Sequence, residues 1–199
     1  VGAASLAHAG GLYLYETGTE DLGLAGAGTA ARAQDASTVF SNPAGMTRLD
    51  GKQLTLGAQV LYGDLPYELD HRYLEGPGNV VGWLPAASSF YSHSISDDFK
   101  LGLALYGNFG LSLGFDDNWA GRNLVTEATM MGLSLQPAMA YRINKMWSVG
   151  AGLGVNLGVF SLSRDKLLTG EEVTLDDTDL APNAKLGVMF EPCQYARLG

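Results

Sequence analysis

From Trp147 to Val159 the chain alternates without a break. Odd positions read Trp147, Val149, Ala151, Leu153, Val155, Leu157 and Val159; even positions read Ser148, Gly150, Gly152, Gly154, Asn156 and Gly158. A period of two sends successive side chains to opposite faces of an extended strand, so one face here is wholly apolar. The other carries glycine and small polar groups in place of the charges that a soluble sheet shows to water. An apolar face toward lipid and a small-residue face toward an enclosed lumen is the pattern of a transmembrane β-barrel strand.

The same test marks strands along most of the chain. A first runs from Gln53 to Tyr62, with Leu54, Leu56, Ala58, Val60 and Tyr62 opposite Gln53, Thr55, Gly57 and Gln59. A second, about Ala86 to Ile95, is rich in Ser and aromatics. A third starts with Phe99, Leu101, Leu103 and Leu105 opposite Lys100, Gly102, Ala104 and Tyr106. A fourth sets Leu133, Leu135, Met139 and Tyr141 opposite Gly132, Ser134, Gln136, Ala138 and Arg142. The alternating stretch above is the fifth; a sixth carries Ala184, Leu186, Val188 and Phe190, and a seventh begins at Arg197. Asp97-Asp98, Asn144-Lys145 and the stretch around Pro192-Cys193 read as tight turns, whereas Asp64 to Pro85, Asp116 to Thr126 and Arg164 to Pro182 read as long polar loops. Short turns on one side and long loops on the other match the periplasmic turns and extracellular loops of outer-membrane barrels. Tyr62, Trp83, Phe99, Tyr141 and Trp147 fall near strand ends, where such barrels carry aromatic girdles.

Composition narrows this picture. Charged residues make up 17% of the chain, below the roughly 25% of soluble domains. No stretch approaches the roughly 18 uninterrupted apolar residues of a membrane-crossing helix. A net charge of −9 argues against nucleic acid as a partner, because phosphate binding needs clustered Lys and Arg. The one cysteine, Cys193, can form neither an internal disulfide nor a thiolate metal site. Residues 1–9 are small and apolar and end in Ala7-His8-Ala9, the pattern before a signal-peptidase cut, and are read as a signal-peptide remnant. Residues 10–50 are rich in Ala and Gly, lack strand alternation and end in Asn42-Pro43-Ala44-Gly45. That segment is too small for its own core and long enough to fold inside a barrel as a plug. The fold class expected is therefore all-β: a transmembrane antiparallel β-barrel, truncated over residues 51–199, with an N-terminal hatch (plug) segment.

These residues resemble the FadL/TodX family of outer-membrane transporters for long-chain fatty acids and other hydrophobic compounds. The stretch from Gly23 through Ala36 to Ser41-Asn42-Pro43-Ala44 is similar to the family's N-terminal hatch and its Asn-Pro-Ala signature. Trp83-Leu84-Pro85 resembles the start of its second strand. Tyr106-Gly107-Asn108-Phe109-Gly110, followed by Phe115, Asp116, Trp119, Ala120 and Gly121, resembles its kinked third strand and the loop after it. Tyr141-Arg142-Ile143-Asn144 with Trp147-Ser148 resembles the turn between strands four and five. The resemblance implies a fourteen-stranded monomeric barrel, of which six to seven strands are present here, so the sequence reads as a fragment. It also implies passive uptake of hydrophobic ligands, with Asn42, Pro43 and Ala44 in a hatch gate and Gly107, Asn108, Phe109 and Gly110 at a kink used for lateral exit. Independently, Gly107 and Gly110 flank the point where alternation breaks, and glycine within a strand marks a bulge or bend.

A carrier of fatty acids needs a cation for the carboxylate. Arg164 has the inward parity of the fifth strand and shares its face with Phe160 and Leu162, so these three are the candidate ligand-binding residues; a solvated residue at a loop base is the alternative for Arg164. Without such a cation, neutral hydrocarbons become the better substrates. The expected partners are a fatty acid or hydrocarbon ligand, outer-membrane lipid and lipopolysaccharide around the wall, and detergent in vitro. No cofactor, metal or catalytic residue is assigned. Two other functions stay open: a polar-solute porin, and an outer-membrane barrel lipase or phospholipase. Gly26-Ala27-Gly28-Thr29-Ala30-Ala31 fits a dinucleotide fingerprint but lacks the preceding apolar strand and following βαβ unit. His8, His71 and His93 are too scattered for a zinc site or a catalytic triad. Glu171, Glu172, Asp176, Asp177 and Asp179 read as a solvated acidic loop, with divalent-cation recruitment as the alternative.

Overall fold

Lipid-facing and lumen-facing alternation requires neighbouring strands to pair in a register that keeps like faces together. The computed structural model, which describes residue 17 and residues 19–67, 76–116, 119–166 and 168–199, has this arrangement. Its strands are β1 (Lys52–Gly63), β2 (Pro66–Tyr67), β3 (Gly78–Asn79), β4 (Gly82–Ser94), β5 (Phe99–Gly114), β6 (Glu127–Arg142), β7 (Trp147–Asp165), β8 (Glu172–Cys193) and β9 (Ala196–Leu198). One antiparallel sheet runs β1-β4-β5-β6-β7-β8-β9, and β2-β3 form a small separate hairpin. Side chains of β4, β5, β6 and β8 converge on the same N-terminal segment, so the sheet curls as a half-barrel around it. The proposed signal-peptide remnant, with His8, and also His71 lie outside the described residues. No helix among the described residues is long and apolar enough to cross a membrane.

Across the convex face the register lines up one continuous apolar band. Tyr141, Val149 and Val188 sit abreast near one end; Leu133, Leu157 and Leu180 sit abreast near the other. The row beyond Met131 and Val159 turns polar on four strands at once: Ser112 opposes Thr129, Thr129 opposes Ser161, and Ser161 opposes Asp176. Within that row the Ser112 and Thr129 hydroxyls lie 2.8 Å apart, and Ser161 Oγ donates to Asp176 Oδ1 at 2.6 Å. Met131 to Tyr141 covers about eleven residues, the length a tilted strand needs to cross the hydrocarbon. Aromatic pairs mark both margins: Trp147 stacks on Phe190 at 4.3 Å, and Tyr62 meets Trp83 at 4.7 Å.

Three expectations are corrected here. Arg164 to Pro182 is not a loop, because β7 and β8 stay paired out to Asp165 opposite Glu172 and only 166–171 connect them. Alternation disappears there because strands that rise past the lipid meet water on their outer face, so polar side chains serve equally well. Asp176, Asp177 and Asp179 therefore belong to a strand, and among the described residues no His, Cys, Asp and Glu cluster could hold a metal ion. The second long strand starts at Gly82 rather than Ala86, with Pro85 opposite Val60 in a stretch that has no β5 partner. Edge-like positions of this kind tolerate a residue without an N–H. The last turn lies at 194–195, just after the position read from Pro192-Cys193.

The band predicts where charge is tolerated. Leu135→Arg, at mid-band, should destabilise the wall by about 2–4 kcal/mol, and Ser161→Arg by under about 1 kcal/mol. Denaturant unfolding in lipid vesicles measures both.

Candidate functional site

Residues 19–50 lie on the concave face as short helical turns: Glu20–Leu24, Thr29–Arg32, Thr38–Ser41 and Pro43–Arg48. Asn42 is extended, as a residue before proline must be, and begins the last turn. Its Oδ1 accepts from Ala44 N–H at 3.2 Å, and Pro43 occupies a first-turn position where a missing N–H costs nothing. The Asn42 Nδ2 donates to Ala30 O at 2.7 Å and to Val188 O on the wall at 2.9 Å. One amide thus closes the turn, ties two parts of the segment together and fastens both to β8.

Close approach at this point depends on two glycines. Gly150 of β7 and Gly187 of β8 are register partners. A Cβ at Gly187 would collide with Asn42 Oδ1, and one at Gly150 with the Pro43-Ala44 peptide. The empty inner face of the fifth long strand is therefore a dock for Asn42-Pro43-Ala44. Around it, apolar side chains of the segment (Val39, Phe40, Met46) are buried against Phe90, Ala104 and Tyr106. The rings of Phe40 and Tyr106 meet edge-on at 4.5 Å.

Wall side chains then satisfy the segment's backbone. Gln136 Nε2 donates to Val39 O at 3.0 Å while its Oε1 accepts from Tyr106 OH at 3.1 Å. Lys185 Nζ donates to Phe40 O at 2.6 Å and lies 4.1 Å from the centre of the Phe40 ring. Thr47 Oγ1 donates to Ser148 Oγ at 3.0 Å, and Arg142 donates to Thr47 O. Arg197 reaches Ala31 O and Arg32 O at 2.8 and 2.7 Å. Asp21 pairs with Arg32 at 2.7 Å; burial pushes its carboxyl above the ordinary value, and Arg32 opposes that shift.

At Asn108 the third long strand gains one residue. The pairing steps from Gly107–Leu133 to Phe109–Gly132, leaving Asn108 as a bulge. Parity inverts beyond it: Leu105 faces lipid, whereas Phe109 and Leu111 oppose Gly132 and Met130 on the concave face. Gly132 makes the inversion possible, since a Cβ there would strike both the Phe109 ring and Asn108 Oδ1. On its other side, β5 pairs with β4 only from Lys100 to Tyr106. The next backbone link between the two runs is Gly114 N–H to Val80 O at 2.8 Å. The wall thus has an unpaired stretch between Gly82–Ala87 and Gly107–Leu113, with Gly110 on its β5 side. Thr17, Gln59, Ala87 and Gly107 line a small cavity at its foot.

Phe160, Leu162 and Arg164 do share the concave face, but at the level of the polar row and above it. Phe160 opposes Met130 on one side and Asp177 on the other; Arg164 opposes Val173 and is exposed. The acidic neighbour Asp177 was hidden from the sequence reading, which placed it in a loop. Lys185 was missed as well, although its parity against outward Ala184, Leu186 and Val188 marks it as inward. His93 sits at the short-turn end of β4, opposite Lys52.

The chain matches, over residues 1–193, the family model described as outer membrane protein transport protein (OMPP1/FadL/TodX). It is 29% identical over 178 residues to a long-chain fatty acid transport protein of Salmonella typhi, covering 87% of this chain and 40% of that protein. It is 30% identical over 146 residues to the Escherichia coli K12 protein of the same name (71% and 32% covered). Outer membrane protein P1 of Haemophilus influenzae is 26% identical over 188 residues (86% and 41%). The chain thus spans less than half the length of these relatives. The crystal structure of a Pseudomonas aeruginosa FadL homologue superposes with a TM-score of 0.70 at 20% identity, covering 92% of this chain and 50% of that one.

The docking geometry makes a direct prediction. Asn42→Ala removes two donors and a cap, and should weaken attachment of the segment by about 1–3 kcal/mol, read as faster hydrogen exchange over residues 38–48. Gly187→Val should release the same residues more completely while the wall's β-signal in circular dichroism is kept. With its wall, its bulged strand and its docked Asn-Pro-Ala turn accounted for, the chain belongs to the OMPP1/FadL/TodX family of outer-membrane transport proteins.

Proposed function

We propose that this chain takes part in passive uptake of long-chain fatty acids or other hydrophobic small molecules across a Gram-negative outer membrane. The observation that carries the reading is the unpaired stretch between β4 and β5, which opens at the Asn108 bulge beside the docked segment. An unsealed strand pair leaves backbone groups that lipid cannot satisfy, so such a stretch must be covered by protein or line a cavity, and here we read it as the wall of a passage. In this reading residues 10–50 are the hatch and residues 51–199 part of the barrel wall. Asn42, Pro43 and Ala44 gate the lumen by docking on Gly150 and Gly187. Gly107, Asn108, Phe109 and Gly110 form the lateral exit.

Ligand enters from the long-loop end, where Phe160 and Leu162 join Met130, Phe109 and Leu111 on the concave face. Burial of apolar surface at roughly 25 cal/mol per Å² supplies the affinity, and no bond is made or broken. Arg164 at the rim meets an anionic ligand first. The relatives named as long-chain fatty acid transport proteins support this substrate class. A monomer completed by further strands is the assembly this reading implies.

Deletion of Asn108 restores an unbroken β5–β6 register while leaving Phe109 opposite Gly132. It should cut oleate uptake into reconstituted vesicles by at least about tenfold with oleate binding retained, a barrier increase of about 1.4 kcal/mol. Uptake unchanged by the deletion contradicts lateral exit. Sugar permeation without saturable oleate binding contradicts the hydrophobic-substrate reading altogether.

A further inference from the structure

Below the apolar mouth, the concave face carries a transverse polar row. Lys185 and Asn183 come from β8, Asn156 from β7, Ser134 and Gln136 from β6, and Asn108 ends the row at the wall's unpaired stretch. Its members are already linked: Asn183 Nδ2 donates to Asn156 Oδ1 at 2.7 Å, and Ser134 Oγ donates to the same oxygen. The register puts Lys185 opposite Gly152, midway along the lipid-facing band rather than at its rim. The ammonium has three donors. One goes to Phe40 O, the Phe40 and Tyr106 rings lie 4.1 and 5.7 Å away, and among the described residues no carboxylate pairs with it. At the far end, Asn108 is 4% exposed and its Oδ1 has no hydrogen-bond partner among the described residues. An amide oxygen only accepts, so this end of the row calls for a donor and does not itself hold an anion.

We propose that this row seats the headgroup of an anionic, single-tailed amphiphile, with Lys185 as its cation. The inference rests on the uptake reading above and fixes the ligand's orientation within it: carboxylate down toward the docked segment, tail up along Phe160, Met130 and Phe109. Charge decides the direction. At the mouth, Asp177 and Asp179 of β8 stand on the concave face opposite Phe160 and Gly158 of β7, and repel a carboxylate held there. At Lys185 the present acceptor is an uncharged carbonyl, and a carboxylate adds the attraction between two full opposite charges that the carbonyl lacks. From Lys185 the row leads by way of Asn156 and Ser134 to Asn108, where the wall is unpaired.

The test compares oleate with oleyl alcohol, equal in tail and different in charge, binding to the purified protein in phospholipid nanodiscs. Lys185→Met should weaken oleate binding roughly tenfold or more and change oleyl alcohol binding by less than about twofold. Lys185→Arg should recover most of the loss, and Arg164→Gln should cost less than Lys185→Met. Equal losses for both probes mean that Lys185 only holds Phe40 in place, and overturn the proposal. So does a larger oleate loss in Arg164→Gln, which would put the headgroup at the rim. If the wild-type protein saturates with neither probe, the uptake reading fails first; if it saturates with both and Lys185→Met changes nothing, only the headgroup seat fails.

Discussion

Everything inside this wall depends on a close backbone contact: Asn42-Pro43-Ala44 against the Gly150–Gly187 pair. No side chain larger than hydrogen fits at either glycine, so the wall is shaped to bring peptide onto peptide. Asn42 converts that proximity into three hydrogen bonds, and its neighbours follow. Once residues 42–44 are seated, Thr47 lies over Ser148, Val39 and Phe40 fall against Phe90 and Tyr106, and their carbonyls meet Gln136 and Lys185. Among the described residues the long strands form one sheet, and the segment on its concave face supplies its core. Lumen-facing alanines and glycines on β5, β6 and β7 are small because this segment occupies the space.

The convex face obeys a different constraint. Lipid offers no hydrogen bonds, so the wall must pair its own backbone and show hydrocarbon outward over a fixed height. The polar row Ser112–Thr129–Ser161–Asp176 ends that height on four strands together. One added residue, Asn108, reverses the inside-outside order on β5 and separates its upper half from β4. A single bulge thus yields both an apolar mouth, by turning Phe109 and Leu111 inward, and a break in the wall.

How legible this was in the sequence differed by level. Strict alternation fixed the faces of β1, β5, β6 and β7 because lipid imposes it, and every inward residue quoted for those strands does face inward. It failed where the lipid stops. Residues 164–182 read as loop because a strand standing in water has no reason to alternate, and the acidic face beside Phe160 was lost with that strand. The bulge was signalled by Gly107 and Gly110, but the inversion after it was not, since a one-residue shift shows only against a partner strand. Lys185 was within reach of parity alone. The pairing of Gly150 with Gly187 was not, because register between β7 and β8 belongs to the folded sheet. What Asn42 holds likewise needs the partner carbonyls of Ala30 and Val188.

The central claim, that a segment docked on the glycine pair gates passage, is tested most directly by locking it. Thr47 Oγ1 and Ser148 Oγ lie 3.0 Å apart, close enough for Thr47→Cys with Ser148→Cys to form a disulfide, with Cys193→Ser to remove the free thiol. Oleate uptake into vesicles is then followed before and after reduction. The account predicts that the crosslink forms, that uptake stops when it is oxidised, and that reduction restores it. Full uptake through the oxidised, crosslinked protein would contradict gating, and failure of the two cysteines to join would contradict the docking itself.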